Sequence, residues 1–313
     1  MRVTNGNMMS NYLRDVQKNL QGMDKINNQL NTGKQINKVS DDPLKAVKIM
    51  NLNNELEDIE KYNYNCDEIT GWLDMTDSAL DTVGTLTSDI KTLLKSISGA
   101  FGKDEIKAVS TEVNEKIKQI GEAFNTTYAG KYIFGGSITD EPPVKITTDE
   151  NGNVSLSINN SDKEGINANL TSTIANGIKI DYNLNINKVT NSSQNLDEGD
   201  ENSAINMFND LSKMLNTEEV DMEKLTEISS KLDSYLSDVL NNRAIVGART
   251  NTVASIKSTN EENELEMRDI LSNTQDVDVA EKFIQLQQAQ MVYTASLQVS
   301  SKIFNTTILD YIR

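Results

Sequence analysis

Near the start of the chain, Leu13, Val16, Leu20, Met23, Asn27 and Leu30 follow one another at spacings of 3, 4, 3, 4 and 3 residues. That is the period of a supercoiling seam rather than of an isolated helix. Near its end, Phe283, Leu286, Gln290, Tyr293, Leu297, Ser300 and Phe304 keep the same alternation; after polar Thr307 it reaches Tyr311, and Val292, Val299 and Ile303 widen the face. Each apolar stripe needs a partner, either the other stripe or another subunit. Asn27 and Gln290 sit at seam positions, where they either fix register or face solvent.

Between these arms the helical period continues. Ser40-Asp41-Asp42-Pro43 is a helix start: Asp42 can cap, and Pro43 fits the first helical position. Leu52, Leu56 and Ile59, then Trp72, Thr76, Ala79, Val83, Leu86, Ile90, Leu93 and Ile97, predict one helix from Pro43 to about Ser98, some 80 Å at about 1.5 Å per residue. Gly99 and Gly102 break it, and Ile106, Val109, Val113, Ile117, Ile120 and Phe124 mark a second helix closing near Gly130. The period then shortens to two. Val144 and Ile146, then Val154, Leu156 and Ile158, then Ile178 to Ile186 alternate as strands, with turns at Asn151-Gly152 and Asn176-Gly177. After a polar stretch from Thr190 to Glu201, helical spacing returns beyond Ala204. It runs through Leu225, Ile228, Leu232, Tyr235, Val239, Asn242, Val246, Arg249, Val253 and Ile256 to about Leu271, and Asp276 or Asp278 caps the last helix.

The predicted fold is mainly α with a small β insertion: an elongated bundle of long helices with paired terminal coiled-coil helices. Its expected divisions are an N-terminal arm at 1–42, bundle halves at 43–137 and 191–275, a β domain at 138–190, and a C-terminal arm at 276–313. Only 5% of residues are aromatic, so the core relies on aliphatic side chains in narrow seams.

Charge narrows the partners. With 47 acidic against 30 basic residues, net −17, and no basic cluster, a nucleic-acid partner is not expected. No apolar stretch approaches membrane-span length and no apolar leader opens the chain, so neither a membrane nor a Sec-type route is expected. The lone Cys66 permits no intrachain disulfide and reads as a small hydrophobe.

Catalytic chemistry is poorly provided. Without histidine there is no Ser-His-Asp or Cys-His arrangement and no His-bearing zinc site. The adjacent carboxylates Asp41 and Asp42 suit capping better than acid–base work. Gly135-Gly136 lacks the Gly-Lys-Ser/Thr of a phosphate loop, and Asp197–Asp200 lacks a calcium loop's terminal glutamate. No cofactor or metal is expected, and no enzyme. Gly247, inside a helical pattern, suggests close approach of another backbone, while Arg243 and Arg249 beside it read equally as surface charges.

The run from Gln29 to Pro43, QLNTGKQINKVSDDP, closely resembles the N-terminal signature of the flagellin superfamily, carried by Gly33, Ser40, Asp41, Asp42 and Pro43. RAIVGARTN, residues 243–251, resembles the C-terminal counterpart, with Arg243, Gly247, Arg249 and Asn251. Val39 stands where that superfamily often has proline. Gly130–Gly136, Tyr293–Leu297 and Leu309–Tyr311 are most similar to its hook–filament junction members. The resemblance implies a flagellin-like adaptor ring between hook and filament, with filament flagellin as the alternative; apart from it, the acidic residues leave a secreted helical effector or carboxylate-based hydrolase as a remote one. It further implies as partners copies of the chain in a ring, the other hook–filament junction protein, flagellin and a cytoplasmic export chaperone. Export without a cleaved signal through the flagellar type III apparatus, to an extracellular flagellum, is implied as well.

Overall fold

The computed structural model describes residues 2–97, 102–150, 152–159, 163–191, 203–217 and 221–309, with the backbone alone described for 2–5, 163 and 302–309. The chain divides into two compact units, one of residues 1–59 with 262–313 and one of residues 60–261. Helix α1 (Arg2–Thr32), helix α8 (Val279–Leu309), and the ends of α2 (Pro43–Ser96) and α7 (Met222–Gln275) form the first.

In that first unit α1 and α8 run antiparallel. Tyr12 donates to the carbonyl of Ser296 and Asn19 to that of Ala289. At the far end main chain meets main chain: the Gln35 amide donates to the Gln275 carbonyl (2.7 Å) and the Val277 amide to the Gly33 carbonyl (3.0 Å). Gly33 ends α1 with φ +69°, a left-handed conformation costly for residues with a Cβ. Asp42 caps α2 through its Oδ1 to the Lys45 amide, and Asp278, not Asp276, caps α8 by accepting from the amides of Ala280 and Glu281.

The second unit is built on the rest of α2 and α7. The expected stripe on α2 faces the core: Trp72, Thr76, Ala79, Val83 and Ile90 are buried, as is Ile97 just past the helix, while Leu86 and Leu93 are half-buried, and Leu73, Leu80 and Leu94 join them. Opposite them Leu232, Tyr235, Val239, Val246 and Val253 are buried on α7. Ion pairs Lys91–Asp233, Arg243–Asp77 and Lys257–Asp67 tie the two helices in antiparallel order. Thr70, Thr76, Thr82, Thr87 and Thr92 each donate to the carbonyl four residues back, so hydroxyls on a long apolar helix stay satisfied.

Helix α3 (Lys103–Phe124) ends six residues earlier than its glycine suggested, because the chain turns into a short hairpin, β1 (Thr127–Tyr128) with β2 (Lys131–Tyr132). Two further antiparallel hairpins follow: β3 (Val144–Thr148) with β4 (Val154–Ile158), and β5 (Thr171–Ala175) with β6 (Ile178–Asp181). The alternation from 178 to 186 does not continue as strand. Asn185 caps a short helix α5 (Ile186–Thr190) by accepting from the Lys188 amide, and α4 (Lys163–Asn167) is a second short helix that the strand pattern did not suggest. Helix α6 (Ala204–Leu215) is separate from α7, where one seam was expected. Gly99, Asn151 and most of the polar stretch to Glu201, with Asp197–Asp200, lie outside the described residues.

Polar side chains dock these hairpins onto the helices. Asn209 of α6 both donates to and accepts from Leu156 of β4, acting as a strand edge, and Ser212 accepts from the Val154 amide. At the β-bulge between Thr173 and Ala175, the unpaired Ile174 carbonyl accepts from Asn260 of α7 at 2.8 Å. A buried carbonyl without such a donor costs about 1–3 kcal/mol. Cys66 packs beside the same carbonyl, and burial pushes its thiol up.

Candidate assembly interface

The two terminal helices place their apolar rows differently from the seam read in the sequence. On α1, Val16, Met23 and Leu30 are half-buried, while Leu13, Leu20 and Asn27 are exposed. The row that closes the packed face is Tyr12, Asn19 and Ile26 instead. Helix α8 repeats this arrangement. Leu286, Tyr293 and Ser300 pack with Lys282, Ala289 and Ser296, and Phe283, Gln290 and Leu297 are exposed.

Each helix therefore carries three neighbouring rows: a central one common to the expected and observed seams, a flank used within the chain, and a flank left in solvent. A residue four before the central position lies on one side of it and a residue three before lies on the other, as helical geometry requires. The outer flank is conspicuously apolar, with Leu13 48% and Phe283 53% exposed and Ile284, Met291, Val292 and Val299 beside them. The inner flank was missed because most of its residues carry a polar atom. Tyr12 and Asn19 bury part of a polar side chain by donating across the pair to the main-chain carbonyls of Ser296 and Ala289, and the same 4–3–4 spacing through residues 12, 16, 19, 23, 26 and 30 was the available signal. The side chain of Phe304, and Tyr311 altogether, lie outside the described residues.

The turn from 33 to 43 is braced on all sides. Buried Gln29 donates to the Gln35 carbonyl (2.6 Å), Thr32 donates to the Asn37 amide oxygen, and Lys38 and Asp41 close a small loop through two bonds. Lys25 reaches Asp41 at 3.0 Å; its hydrogen bond, helped by the Lys38 amide, holds the Asp41 carboxyl below its ordinary range. Asp41 and Asp42 are thus engaged in holding the turn, whereas Ser40 and Val39 are exposed.

In the second unit Arg243 donates to Asp77 through Nε (2.8 Å) and Nη2 (3.1 Å) and to Asp81 through Nη1. Arg249 donates to the Asn183 carbonyl at 2.9 Å. Arg243 thus joins α7 to α2, and Arg249 joins it to the segment between β6 and α5, rather than decorating the surface. Gly247 corrects the expectation of close backbone approach: it is exposed, and a Cβ built on it meets nothing within 4 Å. Close approach occurs at Gly136 instead, where φ is +64° and a Cβ would fall 2.3 Å from the Ile166 carbonyl oxygen. Asn251 is exposed.

For hydrolytic chemistry two carboxylates would have to face each other across a pocket. The roughly 210 Å³ cleft lined by Thr190, Met207, Lys231 and Tyr235 holds one, Asp238, whose carboxyl is raised by burial. Among the described residues no group of three or more His, Cys, Asp or Glu is placed to hold a metal, and no helix is long and apolar enough to cross a membrane.

The chain matches the bacterial flagellin N-terminal helical region over residues 3–139. Its fold is that of the hook-associated proteins. It is similar to a putative flagellar hook-associated protein from Vibrio parahaemolyticus (TM-score 0.64, 20% identity, covering 75% of this chain and 100% of that one). It is similar also to flagellar hook-associated protein 3 from Legionella pneumophila (0.58, 11%, 72% and 98%) and to FlgL of Bacillus cereus (0.52, 18%, 72% and 99%). No curated protein matches.

Proposed function

We propose that this protein is a structural component of the bacterial flagellum, an adaptor ring at the hook–filament junction that filament attachment and motility require. The observation that carries this reading is the solvent-exposed apolar flank on both terminal helices, from Leu13 and Leu20 to Phe283, Ile284 and Leu297. A second helical surface on an already paired coiled coil is what a subunit needs to join neighbours without unpacking itself. The proposed subunit-assembly residues are those of the central rows and outer flanks.

In this reading the arms at 1–42 and 276–313 pack with neighbouring copies around an axial channel. The inner bundle at 43–137 and 191–275, with the β domain at 138–190, forms the outer layer. Partners are copies of the chain, the other hook–filament junction protein, flagellin, and before export a cytoplasmic chaperone that masks the outer flank of α8. Export proceeds through the flagellar type III apparatus without a cleaved signal, to an extracellular location. The role calls for no cofactor and no catalysis.

Deleting residues 283–313 tests it. In cells making only the shortened chain, filaments should fail to attach while residues 60–261 keep their fold; retained attachment would sink the reading. Filament flagellin is the competing assignment. It requires the purified chain to extend long filaments from seeds, and electron microscopy of a seeded mixture should show none.

A further inference from the structure

The first unit carries two exposed patches of opposite charge, and the structure assigns them to each other across copies: the start of α2 on one copy seats against the end of α7 on the next. On the outer face of α2, Leu44 (86% exposed), Val47 and Lys48 stand at i, i+3 and i+4, with Lys45 alongside and Met50 exposed beyond. On the outer face of α7, Glu262, Leu265, Glu266 and Asp269 stand at i, i+3, i+4 and i+7, all exposed, with Leu265 at 68%. One is an apolar stripe flanked by ammonium groups. The other is an apolar knob ringed by carboxylates.

Neither patch is satisfied within the chain. Lys48, Glu262, Glu266 and Asp269 make no ion pair among the described residues, and Lys45 reaches only the Gln35 amide oxygen. Arg268 lies on a different side of α7, paired with Glu264, so no cation interrupts the acidic face. Leu44 and Val47 are uncovered although their neighbours Ala46 and Ile49 are buried, so α2 is amphipathic in a second direction. Burial of Leu265 among Leu44, Val47 and Met50 supplies the apolar contact, and the two lysines opposite three carboxylates set its polarity.

Because the two patches differ, the contact is heterologous: each copy offers one patch to the copy ahead and the other to the copy behind. Repetition in one sense closes a ring or winds a helix, while like patches meeting head to head repel. The inference deepens the adaptor-ring reading and rests on it, adding which surfaces meet and in which direction.

Cysteine pairing tests it. In cells producing only the Val47→Cys/Leu265→Cys chain, mild oxidation of isolated flagella should yield a ladder of dimers and higher multiples of this chain. The two single variants, which share buried Cys66, should yield at least tenfold less. Chain present in flagella without a ladder, or linked to a chain of different mass, overturns the contact and leaves the adaptor reading standing. Chain absent from flagella overturns the adaptor reading. The same oxidation of the concentrated purified chain at low salt then decides the contact, a ladder upholding it and its absence overturning it. Charge reversal gives an independent arm. K45E/K48E and E262K/E266K chains, both also bearing the cysteine pair, should each lose the ladder about tenfold and regain it when mixed; loss without recovery on mixing overturns the pairing.

Discussion

The hydroxyl of Tyr12 donates to the main-chain carbonyl of Ser296 across 3.2 Å, while Leu13, the next residue, points a half-exposed side chain to the other side of the same helix. One step along the sequence separates a residue that joins the chain's two ends from one with nothing to hold. We predict that Leu13→Asp and Leu297→Asp change the unfolding free energy of the free chain by less than about 0.5 kcal/mol yet abolish filament attachment. Leu286→Ala, on the central row, should cost about 2 kcal/mol. Thermal unfolding beside an attachment assay in cells measures both.

Gly247 gives a prediction of opposite sign. Glycine inside a helix is about 0.5–1 kcal/mol worse than alanine, and the space around it is open. Gly247→Ala should therefore stabilise the free chain by about that amount in denaturant unfolding. Gly136→Ala, at positive φ against two carbonyls, should destabilise it.

Arg243 pairs with two carboxylates of α2, Asp77 and Asp81, and magnitude decides what these pairs are worth. Its side chain and those of Asp77 and Asp81 are one-third to more than half exposed, and exposed pairs contribute about 0.2–1 kcal/mol. Arg243→Ala should cost no more than about 1–2 kcal/mol. Phe208→Ala, fully buried edge-on to Tyr235 at 5.7 Å, should cost about 3–5 kcal/mol. A reversal of that order in paired unfolding curves would contradict the burial argument.

Acid should loosen the signature turn. The Asp41 carboxyl titrates below its ordinary value because Lys25 and the Lys38 amide bond to the ionised form. Its contribution is thus complete above the pH at which an unfolded aspartate titrates and is lost as pH falls through the lowered folded value. Amide protection of residues 37–42, taken relative to the intrinsic exchange rate at each pH, should be steady from pH 7 to pH 5 and fall below about pH 4. The Asp41→Asn variant should show the reduced protection at every pH.

Sequence periodicity resolved the long helices well because burial on α2 and α7 follows one seam: between Trp72 and Ile97, and between Leu225 and Val253, the spaced positions are buried except Leu86, Leu93 and Arg249, which are half-buried. It failed where polar side chains replace apolar contact. Asn209, Asn260 and Asn185 bind main chain that a pattern of hydrophobic residues does not register, so the strand alternation runs on to Ile186, where α5 begins, and the bulge at Ile174 is invisible in it. At the terminal helices the spacing found the central rows and the exposed flank but not the flank in use. A helix with three adjacent rows offers two seams of equal period, and Tyr12 and Asn19 conceal one of them behind a polar atom.

The clasp between Gly33–Gln35 and Gln275–Val277 is made from peptide groups alone. Side chains at 34, 35, 276 and 277 are therefore free to diverge without untying the chain's two ends, and drift there leaves no trace in the topology. Proline is the exception: at position 35 or 277 it removes an amide and with it one rung. The tie is thus stored in chain direction and length, which protects it from most single-residue change.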